Sequence, residues 1–435
     1  MSLRNSICAA TALAMATATS AFAETTITIA TVNNGDMIRM QGLADEFTAS
    51  HPDIKLEWVT LEENVLRQRV TQDIAAKGGQ FDVMTIGTYE VPIWGAQDWL
   101  VSLNDLPAAW DADDILPAIR DGLTVEGELY AAPFYGESSM VMYRKDLMEK
   151  AGLEMPEAPT WDQIKDAAAA MTDKDNEVYG ICLRGKAGWG ENMALLTAMG
   201  NSFGARTFDE SWTAQYDSEE WATTVNFYVD LLNGYGPPGA STNGFNENLS
   251  LFQQGKCGMW IDATVAASFV TNPKDSTVAD QVGFALAPDN GLGKRGNWLW
   301  AWSLAIPAGS DATEEAKEFI TWATSKEYTA LVASKEGWAN VPPGTRSSLY
   351  QNTEYAKVPF AAMTLNSINA ADPTDPAVEP VPYTGVQFVA IPEWAGIGTQ
   401  VGQEISAALA GQQSVEEALE KAQALTTDEM EAAGY

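Results

Sequence analysis

Three tryptophans alternate at Trp298, Trp300 and Trp302, a spacing that puts all three indoles on one face of a strand. Such a stripe serves either a core or a flat platform for a ligand, and Trp300 and Trp302 are the candidates for the platform. Glu63 and Arg67 stand one helical turn apart. That spacing suits a surface ion pair or a donor–acceptor pair turned toward a ligand. Arg184 ends the segment Tyr179–Leu183, which reads as a strand, and can donate two hydrogen bonds to neighbouring hydroxyls or form a salt bridge. Asn34 and Asp36 lie in the turn cluster Asn33-Asn34-Gly35-Asp36, where they can cap a helix, contact a ligand, or do both. The single histidine, His51, rules out multi-histidine metal sites and leaves one possible base for a Ser-His-Asp triad. It precedes Pro52 in a connection and is given no role, and no cofactor or metal is expected. The 59 acidic residues guarantee carboxylate pairs, so pairs alone do not single out a glycoside hydrolase.

The elements that must hold these residues follow from periodicity. Thr26–Val32 is a β-rich run, Met37, Met40, Ala44 and Phe47 recur on a helical face, and Ile54, Leu56 and Trp58 alternate as a second strand. A helical pattern covers Asn64–Ala76, and Val83–Ile86 reads as a third strand. Strand–helix–strand–helix–strand predicts an α/β fold with a parallel sheet. Ligands of such sheets sit beyond the carboxyl ends of the strands. Here those ends are Asn33–Asp36, Glu62–Glu63 and Gly87-Thr88-Tyr89. Later, Asp311 with Glu314 reads as a helix N-cap pair and Ser414 with Glu417 as a capping box. Asp372–Pro382 carries four prolines and reads as an extended loop.

Composition sets the outer limits. The chain has 435 residues, 46% hydrophobic and 19% charged, enough for two or three domains with a substantial core. Its formal net charge of −34 argues against a nucleic-acid partner and against docking on anionic lipid. Residues 1–23 hold one charge, Arg4, then a short apolar stretch ending Ala21-Phe22-Ala23. This reads as a secretory signal peptide cleaved after Ala23, with an exported, periplasmic mature chain. The mature chain keeps Cys182 and Cys257. They form a disulfide or stay as two buried thiols, and spacing alone does not decide.

Several segments resemble the extracellular solute-binding proteins of ABC importers, the group that includes the maltose-binding protein. They are TITIATVNNGD, EFTASHPDIKLEWV, FDVMTIGTYEVPIWGAQDWLVSLNDL, LYAAPFYGESSMVMYRKDLMEKAGLEMPEAPTWDQI, LFQQGKCGMWIDA and LAGQQSVEEALEKAQ. GESSMVMYRKDL, WIDATVAA and WLWAWSLAIP are most similar to the sorbitol/mannitol-type, polyol-binding branch. The resemblance implies a two-lobed periplasmic-binding-protein fold, with hinged lobes and the ligand in the cleft. One lobe would take 24–134 and 303–349, the other 135–302 and 350–435. It implies a monomer that captures a polyol or sugar and delivers it to membrane permease subunits, without catalysis. It also implies ligand contacts at Glu137, just after the Pro133-Phe134 crossing, and at Asp262 in the apolar run Met259–Asp262. Family members present polar or aromatic groups where Thr88 and Tyr89 stand, and a late aromatic contact near Trp394. The alternatives are a mono- or disaccharide or a polyamine in the same cleft, and a secreted glycoside hydrolase.

Overall fold

The computed structural model describes residues 24–435, so the expected signal peptide lies outside the described residues. Ten strands are β1 (Thr25–Val32), β2 (Ile54–Leu61), β3 (Val83–Ile86), β4 (Thr124–Val125), β5 (Glu128–Leu129), β6 (Ala132–Glu137), β7 (Ser139–Arg144), β8 (Met259–Ala263), β9 (Val282–Leu286) and β10 (Trp300–Ala305). Two sheets carry the halves of the molecule. One has the order β2-β1-β3-β10-β6, the other β8-β7-β9; β4 and β5 form a small hairpin.

In the larger sheet β1 runs parallel to β2 and β3, and β10 enters antiparallel between β3 and β6. β1 from Ile29 to Val32 and all of β3 are covered on both faces, as central strands between helical layers require. Strands β1 and β2 pair from Thr25 opposite Ile54 to Val32 opposite Leu61 and therefore end level. That register delivers Asn34 and Glu63 to the same edge. Asn34 caps the helix Gly35–Gly42, and Glu62 caps the helix Glu63–Ala76.

The smaller sheet is entirely antiparallel, with Met140 opposite both Asp262 and Leu286. The helix Ala361–Asn369 covers its strands β7 and β9. Four long helices, Asn192–Phe203, Glu219–Tyr235, Trp394–Leu409 and Val415–Ala433, pack on one another. The two sheets are joined directly, because only Ser138 separates β6 from β7. β6 keeps Tyr135 and Glu137 on the larger sheet, and β10 rejoins that sheet at Trp300. The passages between sheets thus fall at Ser138 and just before Trp300, a few residues inside the expected crossings at Phe134 and Ser303.

Other local differences have simple causes. Tyr179–Leu183 does not form a full strand; it meets β8 and its approach through two isolated bridges, Tyr179 to Cys257 and Cys182 to Trp260. A disulfide joins Cys182 to Cys257 beside those bridges, with Cα atoms 5.9 Å apart and both residues fully buried. Asp311 does not cap the following helix. That helix starts at Thr313 with Ala312 at the cap, and the Ser310 hydroxyl accepts from the Ala312 N–H. The Ser414–Glu417 capping box forms. The stretch Asp372–Pro382 has no regular structure. His51 stacks on Phe47, with ring centroids 4.2 Å apart.

Candidate functional site

A cavity of about 190 Å³ lies between the two sheets. From the larger half it takes the strand-end residues Asn34, Glu62 and Glu63, then Arg67, and from the hinge strands Tyr135, Glu137, Trp300 and Trp302. The smaller half contributes Arg184, Lys186, Trp189, Glu191, Phe245 and Trp298. Seven of the twelve expected site residues therefore line one cavity: Asn34, Glu63, Arg67, Glu137, Arg184, Trp300 and Trp302.

Arg67 projects from the helix Glu63–Ala76 into a cage of indoles. Its guanidinium carbon lies 4.0, 4.8 and 4.7 Å from the rings of Trp189, Trp300 and Trp302. Cation–π contact of this kind strengthens when water is excluded. Arg67 also donates to Glu63 and, through Nη1, to Glu90 Oε1 at 2.9 Å. Two glycines make room for this cage. A Cβ on Gly87 would stand 2.0 Å from the Trp300 ring, and one on Gly190 would stand 2.3 Å from Glu63 Oε1.

Arg184 is fixed from the opposite wall. Its Nε and Nη2 donate to the Asp262 carboxylate at 2.9 and 2.7 Å, and its Nη1 donates to the Gly190 carbonyl at 2.9 Å. Glu191 Oε2 is 3.4 Å from Nη1. Burial disfavours the guanidinium charge, but Asp262, Glu191 and Glu63 more than restore it, so Arg184 stays charged. The nearby disulfide ties down the segment that presents it.

The acids divide in the opposite sense. Burial, with Asp262 and Glu63 nearby, holds the Glu137 carboxyl well above the ordinary glutamate range despite Arg184. Burial likewise pushes Glu191 up to about 8, against Arg184 and Lys186. The wall thus offers charged donors, carboxylate acceptors and acids inclined to stay neutral, around apolar indole faces.

Five expected site residues do not line the cavity. Asp36 turns inward to Arg39, 2.5 Å away, and burial raises it to about 6. Thr88 is buried beneath the loop beside Gly122. Tyr89 donates from its hydroxyl to the Ile391 carbonyl at 3.1 Å and accepts from the Ala395 N–H at 3.2 Å, linking the two halves. Asp262 stands behind Arg184. It accepts from Trp260 Nε1 at 3.0 Å and from the Ala263 N–H at 2.7 Å. Trp394 is fully buried at the start of its helix.

Sequence reasoning missed Lys186, Trp189, Glu191, Phe245 and Gln387. The Gly188-Trp189-Gly190-Glu191 run was the available signal, an aromatic flanked by turn residues. Gln387 gave none; it pins its loop to the hinge by bonding both the N–H and the carbonyl of Leu299. More contacts bridge the halves at the rim. Lys186 pairs with Glu62, and Asn64 Nδ2 donates to the Ala187 carbonyl at 3.2 Å.

A two-lobed α/β molecule with a polar and aromatic cavity between its lobes is the architecture of a solute carrier. The family profile of bacterial extracellular solute-binding proteins matches residues 34–330, and the chain belongs to that family. It is 58% identical over 410 residues to the mannitol-binding protein of Pseudomonas aeruginosa, covering 94% of each chain. It is 72% identical to an ABC-transporter solute-binding protein of Agrobacterium vitis S4 solved with bound D-mannitol. That match has a TM-score of 0.94 and covers 94% of this chain and 99% of the other. A solute-binding protein of Agrobacterium radiobacter K84 in complex with ribitol is 25% identical, with a TM-score of 0.82 over 94% of this chain and 99% of its own. These relatives are binding proteins rather than enzymes. Among the described residues no helix is long and apolar enough to cross a membrane.

Proposed function

We propose that this chain binds a mannitol-type polyol between its lobes in the periplasm and hands it, unaltered, to the permease of an ABC importer. The observation that carries the reading is the cavity itself, its size and its mixture of donors, acceptors and indole faces. A cavity of about 190 Å³ suits an acyclic polyol of five or six carbons better than a disaccharide, which is about twice as large. Each hydroxyl both donates and accepts, so a wall with arginines and carboxyls can pair every one. The mannitol-binding relatives support the same class.

In this reading Asn34, Glu63, Arg67, Glu137 and Arg184 bond the hydroxyls, and Trp300 and Trp302 pack against the carbon chain. Asp36, Thr88, Tyr89, Asp262 and Trp394 act from behind the wall. A polyamine is disfavoured, because Glu63 and Glu62 are already paired with Arg67 and Lys186, whose charges together with Arg184 oppose a second cation.

The test is a ligand panel on the mature chain. A ligand that binds only the folded state stabilises it by about 2.7 kcal/mol at a hundred times its Kd. Mannitol and sorbitol are expected to raise the melting temperature, and maltose to leave it nearly unchanged. Stabilisation by disaccharides alone would remove the polyol reading.

A further inference from the structure

The two buried acids that line the cavity differ in their partners. Glu191 has Arg184 and Lys186 within 3.4 and 3.7 Å. Glu137 is 5% exposed and has no side-chain hydrogen bond or ion pair among the described residues. It stands on β6 directly opposite Trp300, two residues from Tyr135 on the same cavity-lining face, where Trp302 lies opposite Tyr135. Its flanks are therefore aromatic.

Among the described residues no cation pairs with it. Arg184 commits Nε, Nη1 and one N–H of Nη2 to Asp262, Gly190 and Glu191, and Lys186 pairs with Glu62 and Glu191. Arg67 spends its own on Glu63 and Glu90. Burial is the main influence on Glu137 and outweighs the pull of Arg184 toward the charged form; the other charged groups that bear on it are carboxyls, Asp262 from β8, Glu63 from the helix after β2 and Asp36 from the helix after β1. A buried carboxyl against indoles, with acids for neighbours and committed arginines, is favoured in its uncharged form. Burial holds its pKa well above the ordinary glutamate range, which agrees.

We propose that Glu137 meets the ligand as a neutral carboxylic acid, donating its O–H to one hydroxyl and accepting from another. The inference rests on the polyol reading above and assigns the donor within it. A neutral acid matches the two-way bonding of a hydroxyl, and it withholds from an ammonium group the carboxylate that would attract it.

The test is infrared spectroscopy of the full mature chain near neutral pH, with and without mannitol, on wild type and on Glu137→Gln. Wild type is expected to show the C=O absorption of a protonated carboxyl that Glu137→Gln removes. Glu137→Asp, which keeps the carboxyl on a shorter arm, shifts that absorption and gives the assignment a second time. Calorimetric titration supplies an independent readout. Glu137→Ala should weaken mannitol binding by about tenfold or more, and Glu137→Gln by clearly less, because the amide keeps a donor and an acceptor. A wild-type spectrum in which none of these variants alters a protonated-carboxyl absorption overturns the proposal. So do equal losses of tenfold or more in the Gln and Ala variants. Failure of wild type to bind any polyol would instead strike the functional reading, while the ligand-free spectrum still reports the state of Glu137.

Discussion

Asp262→Asn separates what builds the cavity wall from what lines it. Asp262 is fully buried, and its two oxygens accept from Arg184 twice over, from Trp260 Nε1 and from the Ala263 N–H. Asparagine has the same shape but only one acceptor oxygen, so its amide must face one of those donors. Breaking a buried ion pair by removing one charge costs about 3–5 kcal/mol. Here Glu63 at 4.0 Å retains part of the attraction for Arg184 and Glu191 at 3.4 Å still accepts from it, which places the loss near the lower bound, about 3 kcal/mol. Unfolding entropy of about 2.1 cal/mol/K per residue over about 410 residues converts that to a fall of roughly 3–4 °C in melting temperature. Ligand affinity should fall further, by about tenfold or more, because Arg184 loses the fork that aims its remaining N–H groups. Scanning calorimetry and mannitol titration read the two effects separately. An Asp262→Asn chain that melts within about 1 °C of wild type and binds equally well would refute the assignment. Gly190 and Glu191 would then suffice to hold Arg184.

Three further perturbations test other parts of the site. Tyr89→Phe removes the hydroxyl that links the halves through Ile391 and Ala395. About 1 kcal/mol lost from the closed form should weaken ligand binding about fivefold in calorimetry with the melting temperature of the free protein little changed, and an unchanged affinity would contradict the role. Replacing Cys182 and Cys257 by serine opens a loop with a sequence separation of 75 residues. Chain entropy then predicts a loss of about 4 kcal/mol, seen as a melting temperature about 5 °C lower, and an unaltered melt would contradict it. Glu191 is raised in the folded state, from 4.5 to about 8, by burial against Arg184 and Lys186. The folded chain keeps a proton that the unfolded chain gives up, so this group's contribution is full below about 4.5 and falls as pH rises toward 8. Glu191→Gln should flatten that fall in melts across the window, and an identical pH profile would contradict it.

The strand ends and the caps at Asn34 and Ser414 were legible because they obey local rules, whereas the cap expected at Asp311 does not form. The turn cluster after β1 had to end a strand and start a helix, and Asn34 does both jobs while facing the cavity. Glu63 and Arg67 share a helix face, so finding one found the other. Asp36 shows where that logic stops. It belongs to the same turn as Asn34, but two residues of helical rotation carry it away from the cavity and toward Arg39, one turn on. Arg184 and Asp262 were each singled out, yet their partnership across 78 residues depends on the bridges Tyr179 to Cys257 and Cys182 to Trp260 and on a disulfide that no period reveals. Trp189 is the sharper case. It sits in a glycine-flanked turn without periodicity, and its role arises only when the smaller half brings it within 4.0 Å of Arg67 on the larger. What is local in this protein is therefore the framework. The site is made by contact between halves, and the residues that change most in meaning on folding are those that touch across the gap.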